Sequence, residues 1–131
     1  MLTRRGFVGC ALCALAGFEA TDAGAQTSGL TRTLISRMDG PAAGYETVEM
    51  RVEAPAGTVI ARHTHFGIET SYVVEGSLDL NIEGVSSKTY NKGDGFQVPA
   101  GAIHGGKTGD EPIVLSGVYV VEKGKQLATP A

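Results

Sequence analysis

The fold of this chain is decided by the stretch Gly57-Thr-Val-Ile-Ala-Arg-His63-Thr-His65-Phe-Gly67-Ile-Glu69-Thr-Ser-Tyr-Val-Val-Glu-Gly76. His63 and His65 lie two residues apart in a run rich in β-branched side chains. Because successive side chains of a strand alternate between its faces, both imidazoles are predicted to leave the same side and to share one ligand. Gly67 is predicted to let the chain turn, so that the Glu69 carboxylate reaches the same point from the next strand.

A second stretch supplies a fourth candidate ligand, and it reads Gly93-Asp-Gly-Phe-Gln-Val-Pro99-Ala-Gly101-Ala-Ile-His104-Gly-Gly-Lys-Thr108. All three histidines of the chain fall in these two stretches. Together the stretches resemble the two-part signature of the cupin family. The pattern G-x5-H-x-H-x3-E-x6-G is met at every position, and G-x5-P-x-G-x2-H-x3-N is met except that Thr108 stands where the family usually has Asn. Since that asparagine is not a metal ligand in the family, the departure concerns a local turn.

The resemblance implies an all-β fold, the double-stranded β-helix or jelly-roll barrel of the cupins. It also implies that one divalent transition metal is bound by His63, His65, Glu69 and His104. Three neutral imidazoles and one carboxylate suit Mn, Fe, Ni, Cu, Co or Zn, and this ligand set does not name the metal. Four protein ligands on an octahedral ion would leave two positions for water or substrate, so the site is predicted to be open to chemistry.

Three functions are compatible with such a site. The resemblance favours a metal-dependent, dioxygenase-like enzyme that acts on a small enolic or carbonyl compound, similar to the quercetinase-like members of the family, with Glu69 doubling as a base. The first alternative is a metal-dependent lyase or isomerase acting on a small carbonyl acid. The second is a non-catalytic module that binds a metal or a small ligand. Many relatives pair their outer sheets, so the resemblance is also compatible with a homodimer.

Residues 1–25 have the composition of a cleaved export signal. Arg4 and Arg5 precede Phe7 in a pattern that resembles the twin-arginine signal, and cleavage is expected after Ala25. The apolar run over residues 7–18 has 12 residues, well short of the roughly 20 that a helix needs to cross a bilayer. The sequence therefore predicts a periplasmic or secreted protein without a stable membrane anchor.

Residues 26–131 are predicted to form one cupin domain, since this length is enough for a single core and too short for two. Both cysteines, Cys10 and Cys13, fall in the predicted signal, which excludes disulfides and thiolate ligands from the mature protein. The formal net charge is −3 and no run of Lys and Arg forms a basic face, so nucleic acid is not an expected partner.

The pattern along the mature chain predicts about nine short strands and no helix. Residues 45–54 alternate most clearly between apolar and polar side chains, and residues 30–38 are predicted to form an edge strand. The remaining predicted strands include the histidine run and residues 69–75, 77–82, 85–90, 96–98, 104–108 and 112–121. Residues 127–131 are left unassigned.

Two turns share the sequence Pro-Ala-Gly, at Pro55 to Gly57 and at Pro99 to Gly101, and each precedes histidines. Because proline presets φ at the first corner of a bend, both are predicted to be type I turns.

Several neighbours of the predicted ligands are weaker candidates for the site. Ser71 and Val73 share the parity of Glu69, so they are predicted to line the pocket, whereas Tyr72 is predicted to pack on the opposite side between sheet and loop. Phe66 either gates the entrance or plugs the turn. Arg62 is directed away from the site, and no cationic clamp for a phosphate is evident.

Overall fold

The computed structural model of the chain describes residues 29–131, so the predicted export signal lies outside the described residues. Within them the chain forms ten strands and no helix, which confirms the predicted all-β class. The strands are β1 (Thr31–Asp39), β2 (Tyr45–Ala54), β3 (Val59–Thr64), β4 (Gly67–Glu75), β5 (Ser77–Ile82), β6 (Lys88–Asn91), β7 (Gly95–Val98), β8 (His104–Thr108), β9 (Ile113–Glu122) and β10 (Thr129–Pro130). A search of the same residues finds no helix long and apolar enough to cross a membrane.

The strands of this part form two five-stranded antiparallel sheets, with the orders β1-β2-β9-β4-β7 and β10-β3-β8-β5-β6. The chain changes sheet at each step from β2 to β5 and again from β6 to β9, so both sheets are built from strands distant in sequence. Their inner faces share one apolar core, formed by Val48, Met50, Val52, Ala54, Val73, Leu78, Leu80, Phe96, Val98, Ile113, Leu115, Tyr119, Val121 and Leu127. This arrangement confirms the predicted double-stranded β-helix, or jelly-roll barrel.

The centre of the first sheet is the pairing of β9 with β2 on one side and with β4 on the other. The predicted alternation of β2 is confirmed, because Val48, Met50, Val52 and Ala54 are all buried. On the other side of β9, Tyr119 lies directly opposite Glu69 of β4. Residues directly opposite on paired strands point to the same face, so β9 carries a tyrosine to the same interior as the glutamate.

Strand β1 lies at the edge of the first sheet, as predicted, and pairs only with β2 in the described part. Arg32 is opposite Val52, a buried residue, and therefore points into the barrel. The register then shifts between Leu34 and Ser36. Ile35 is 57% exposed, so beyond this shift β1 contributes little to the core.

The prediction of two type I turns is wrong. Gly57 and Gly101 have φ of +69° and +72°, and each stands third in its turn. At the second turn the Ala102 backbone N–H donates to the Pro99 carbonyl at 3.1 Å, so Pro99 is the first residue and not the first corner. A positive φ at the third position defines a type II turn, which glycine adopts without steric cost.

The role predicted for Gly67 is also wrong. It does not occupy a bend but begins β4, opposite Val121 of β9. A Cβ at this position would lie 1.9 Å from the carbonyl oxygen of Val120, closer than any real contact. Glycine is therefore required here because two backbones approach each other closely, and not because the chain needs a special dihedral angle.

Two other segments differ from the predicted strand pattern. The strand predicted over residues 85–90 begins only at Lys88, since Val85 donates its N–H to the Ile82 carbonyl in a turn. The unassigned C-terminal residues include β10, which pairs with the end of β3 at His63 and Thr64. The tail thus lies against the strand that carries the first histidine.

Candidate metal centre

The structure brings the four predicted ligands together. His63 lies near the end of β3, His65 follows that strand directly, Glu69 is the third residue of β4, and His104 begins β8. One ligand atom from each side chain lies within 4.8 Å of the others, and all four residues are at most 5% exposed. Two strands from the second sheet and one from the first therefore converge at a single buried point.

Backbone carbonyls fix the orientation of all three imidazoles. The Nδ1 atoms of His63, His65 and His104 lie 2.7, 2.5 and 2.9 Å from the carbonyl oxygens of Ala61, Leu127 and Ala102, respectively. A carbonyl oxygen can only accept, so each Nδ1 carries the proton and each Nε2 carries a lone pair. This is the usual way in which proteins prepare histidines as metal ligands.

The lone pairs of the site face one another. Glu69 Oε2 lies 3.0 Å from His65 Nε2 and 3.3 Å from His104 Nε2, yet neither nitrogen has a hydrogen-bond partner and both are buried. The short distances are not hydrogen bonds, because the protons of both rings are held at Nδ1. Buried lone pairs that converge without a donor are unfavourable, and a cation at their focus would relieve this. The donor set thus fits a transition metal ion.

The protonation states agree with this assignment. The pKa of His63 is lowered to about 4, mainly by burial and to a smaller extent by the nearby His104, His65 and Arg32, while the hydrogen bond to the Ala61 carbonyl acts in the opposite direction. Burial raises the pKa of the Glu69 carboxyl, and the hydrogen bond that Ser71 donates to it lowers this pKa. At neutral pH the site therefore presents a neutral His63, the state in which an imidazole binds metals.

Ser71 and Tyr119 hold the glutamate in place. The Ser71 hydroxyl donates to Glu69 Oε1 at 2.6 Å, so the predicted position of Ser71 beside the ligands is confirmed. Tyr119 lies opposite Glu69 on the neighbouring strand, and its ring meets that of His65 edge to face at 5.1 Å. Burial, and then the charge of Glu69, raise the pKa of Tyr119 well above its ordinary value, so its hydroxyl stays protonated.

Gly117 makes room for both of these supporting side chains. A Cβ at this position would lie 3.0 Å from Cε2 of the Tyr119 ring and 3.2 Å from the Ser71 hydroxyl. Any side chain at position 117 would therefore press on the two groups that contact Glu69.

A small cavity adjoins the ligands. The volume that the centres of water molecules can occupy in it is about 30 Å³. Because one water needs roughly 10–15 Å³ by the same definition, the cavity has room for about two waters. The polar part of its lining consists of His63, Glu69, His104, Tyr119 and Arg32. The rest is apolar and includes Val52, Leu78, Leu80, Phe96 and Leu115.

Arg32 is a residue of the site that the sequence patterns did not indicate. Its side chain lines the cavity, close enough to Tyr119 for its charge to act on the tyrosine hydroxyl. Arg32, Tyr119 and Glu69 thus form a chain of contacts that runs from the edge strand to the ligands. No spacing in the sequence links β1 to the histidines. Tyr119 could have been found more readily, because it has the inward parity of Leu115 and Val121 in β9.

The weaker candidates have different positions. Val73 is fully buried, whereas Tyr72 is 51% exposed, so the prediction that Tyr72 packs between sheet and loop is wrong. Phe66 is 42% exposed with the Lys125 ammonium 5.0 Å from its ring centroid, and it is not a buried plug.

Thr108, the departure from the family signature, donates its hydroxyl to the Pro55 carbonyl at 2.7 Å and accepts the N–H of Thr58 at 2.7 Å. Thr108 therefore ties both ends of the first Pro-Ala-Gly turn to β8.

Comparison with known families agrees with this architecture. Residues 50–122 match the family model described as the cupin domain, a segment that contains all four candidate ligands. The chain belongs to the cupin family. Among curated protein sequences, none matches this cupin significantly.

Solved structures share the cupin fold at low identity. The cupin domain of Cnp3 from Schizosaccharomyces pombe aligns at a TM-score of 0.61 and 19% identity, over 71% of this chain and 65% of that one. The DMSP lyase DddQ from Ruegeria pomeroyi aligns at 0.65 and 21%, over 79% and 52%. KdgF from a Halomonas species aligns at 0.58 and 21%, over 73% and 83%. This cupin spans less than two thirds of the length of the first two, and these likenesses show the fold alone.

Proposed function

We propose that this cupin is a metal-dependent enzyme that binds one divalent transition ion through His63, His65, Glu69 and His104 and acts on a small carbonyl or enolic compound. The observation that carries the proposal is the convergence of buried lone pairs, with every histidine proton held by a backbone carbonyl. Structural histidines in a core would instead use both ring nitrogens in hydrogen bonds.

A bound ion would supply Lewis acidity, and with a redox-active metal also oxygen chemistry. The protein's own groups define what can happen around it. The apolar lining of the cavity excludes bulk water, and its small size favours a compact substrate over a flavonol-sized one. Tyr119 keeps its proton and adds a polar group to the lining of the cavity. The second role predicted for Glu69, that of a base, stays a prediction.

Two reaction classes remain. The dioxygenase-like reaction that the family resemblance suggests requires oxygen as a co-substrate. A lyase or isomerase reaction requires proton transfer beside the metal and no oxygen. The cupin fold accommodates lyases, since the DMSP lyase DddQ shares it. A non-catalytic binding module is the third candidate, but an open, partly apolar cavity beside the ligands favours an enzyme.

The test combines elemental analysis with a substrate screen. Purified protein is reconstituted separately with Mn, Fe, Co, Ni, Cu and Zn, and its metal content is measured after dialysis. The loaded forms are then assayed with small β-dicarbonyl compounds and carbonyl acids in air and under argon. About one ion per chain with turnover in air alone would indicate a dioxygenase, and equal turnover under argon a lyase or isomerase. Failure to retain any of the six metals would overturn the proposal.

We further propose that the protein is exported through the signal predicted in residues 1–25, and that it takes up its metal before export. The support comes from the paired Arg4 and Arg5, since the twin-arginine route carries folded proteins. Metal content is compared between the exported protein and a form beginning at residue 26 that stays in the cytoplasm. Identical metal content would remove the reason for this route. The homodimer stays a prediction.

A further inference from the structure

The segment that follows β9 runs along the stretch that carries His63 and His65. We define the tail as residues 125–131, which lead from the first sheet to the second, where β10 pairs with β3. Its contacts with residues 62–66 follow in antiparallel order: the Lys125 ammonium on the Phe66 ring, the Leu127 carbonyl on His65, Thr129 opposite Thr64, Pro130 opposite His63, and the Ala131 N–H on the Arg62 carbonyl. Every residue of this ligand-bearing stretch therefore has a partner in the tail.

His65 depends on the tail in a way that the other two histidines do not. The carbonyls that hold the Nδ1 protons of His63 and His104 each lie two residues earlier in the chain. The carbonyl that holds the Nδ1 proton of His65 belongs to Leu127, 62 residues away. Which ring nitrogen of a histidine is free to bind a metal is set by the hydrogen bond that the other nitrogen makes. The orientation of His65 is therefore controlled by a separate segment of the chain.

The position of the His65 proton decides whether the site can accept an ion. His65 Nε2 lies 3.0 Å from Glu69 Oε2. While Leu127 holds the proton at Nδ1, these two atoms present lone pairs to each other. Without that acceptor, the proton could move to Nε2 and be donated to the carboxylate, in a buried hydrogen bond that would occupy two ligand atoms at once. The tail thus excludes the arrangement that would close the site to metal.

Two buried residues hold the Leu127 carbonyl in place. The Leu127 side chain belongs to the apolar core, and Ala128 is 1% exposed. Burial of apolar groups is the main force that keeps a segment docked. Lys125, Pro130 and Ala131 are exposed, so their contacts lie at the surface. Docking of the tail, and with it the state of His65, therefore depends mainly on Leu127.

We propose that Leu127 is a positioning residue of the metal centre, and that docking of the tail and binding of the ion stabilise each other. The inference deepens the proposed function and rests on it, because it concerns affinity for the ion. An ion that binds only when His65 carries its proton at Nδ1 must favour the docked tail. Linkage then requires that the tail raise metal affinity by the factor by which the metal stabilises docking.

The test compares two deletions and two substitutions. Deletion of residues 127–131 removes the acceptor, and Leu127→Ala removes its anchor but keeps the backbone. Deletion of residues 130–131 and Lys125→Ala are the matched controls, since they remove exposed contacts of the same tail. Long-range proton–nitrogen NMR spectra of the metal-free proteins report which nitrogen of each histidine is protonated. Chelator competition gives the dissociation constant of zinc.

Deletion of residues 127–131 is expected to move the His65 proton from Nδ1 to Nε2, while His63 and His104 keep theirs at Nδ1. Affinity for zinc should fall about tenfold or more, as is usual when a group that orients a metal ligand is lost. Leu127→Ala should give values between those of this deletion and the wild type, and both controls should match the wild type.

A measurement on the wild-type protein tests the coupling without any variant. The Ala131 amide donates to the Arg62 carbonyl, and the Asp94 amide donates to the Asn91 carbonyl in a turn outside the tail. Zinc should slow hydrogen exchange of the first amide about fivefold or more and leave that of the second unchanged. Equal exchange of the Ala131 amide with and without bound zinc would overturn the coupling.

A folded deletion variant that keeps the His65 proton at Nδ1 and binds zinc as tightly as the wild type would overturn the inference. Loss of the Nδ1 proton from all three histidines would overturn it as well, because the deletion would then act on the whole site. If the deletion variant does not fold, Leu127→Ala decides, and wild-type spectra and affinity in that variant count against the inference. A wild-type protein that retains no metal would overturn the proposed function, whereas the spectra of the metal-free proteins test the role of Leu127 independently.

Discussion

Two groups of residues form the candidate site, and they are encoded differently. The ligand group, His63, His65, Glu69 and His104, comes from short stretches with fixed spacing on β3, β4 and β8. The support group, which we define as Ser71, Tyr119 and Arg32, comes from β4, β9 and β1 and has no common spacing. The comparison teaches that ligation is a local property of the chain, whereas the control of the ligands depends on which strands lie side by side.

Removing a member of the ligand group is expected to have the largest effect. Replacement of His63, His65 or His104 by Ala should abolish metal retention, since three protein ligands would have to hold the ion in a site built for four. The loss of bound metal also removes its contribution to folding stability, about 2.7 kcal/mol for a ligand present at a hundred times its dissociation constant. Elemental analysis and thermal unfolding with and without a chelator measure both effects.

Lys107→Ala is the control for the His104 variant. Lys107 lies three residues further along β8 and is exposed. Its replacement should therefore leave the metal content and the response to a chelator unchanged from the wild type. A His104→Ala protein with a full complement of metal would refute the assignment of the ligand group.

A methyl group at position 117 is expected to disturb the support group. The Cβ of Gly117→Ala would lie 3.0 to 3.2 Å from Tyr119 and Ser71, so both must shift to accept it. Overpacking of this kind typically costs about 1–3 kcal/mol of folding stability. Because both side chains contact Glu69, metal affinity should fall as well. Urea unfolding of the metal-free protein and chelator competition separate the two effects.

Gly95→Ala is the matched control, since its Cβ would meet only the Ser71 carbonyl oxygen at 3.4 Å, an ordinary contact. Equal loss of metal affinity in both variants would show that glycine replacement in the first sheet, and not pressure on the support group, is the cause.

The same comparison explains what could be predicted from the sequence. The shared strand face of His63 and His65 and their spacing to Glu69 do not depend on how the strands of the barrel are paired. The ligand group could therefore be predicted from the sequence. The alternation along β2 likewise predicted its buried face. The position of Arg32 depends on the pairing of β1 with β2, and that of Tyr119 on the place of β9 between β2 and β4. Local sequence patterns do not predict which distant strands pair.

The errors concern glycine and the chain end. Local preference predicts a bend at Gly67, but the close approach of the Val120 backbone is what requires glycine there. Local preference also predicts type I turns at the two Pro-Ala-Gly sequences, but the glycine in third position has a positive φ in both. The Leu127 carbonyl, which orients His65, lies in a tail without strand-like periodicity. A backbone atom leaves no trace in residue identity, so its role could not be predicted.

Removal of the Ser71 hydroxyl is expected to weaken metal binding without abolishing it. Ser71→Ala deletes the hydrogen bond to Glu69 Oε1, and loss of a group that orients a ligand typically lowers metal affinity about tenfold or more. Chelator competition gives the dissociation constant. Ser116→Ala serves as a control, because Ser116 lies opposite Tyr72 on the outward face of the same sheet. If Ser71→Ala binds metal as tightly as Ser116→Ala does, the hydroxyl has no part in orienting Glu69.

The smallest effect is expected from Tyr119→Phe, which keeps the ring beside His65 and removes only the hydroxyl between Arg32 and Glu69. The free energy of unfolding should fall by about 1 kcal/mol, because Glu69 loses a polar neighbour in a buried site, while metal content stays at the wild-type value because Ser71 still holds the carboxylate. Tyr72→Phe is the control, since Tyr72 is half exposed and should lose nothing. Complete loss of metal from Tyr119→Phe would move the tyrosine from the support group into the ligand group.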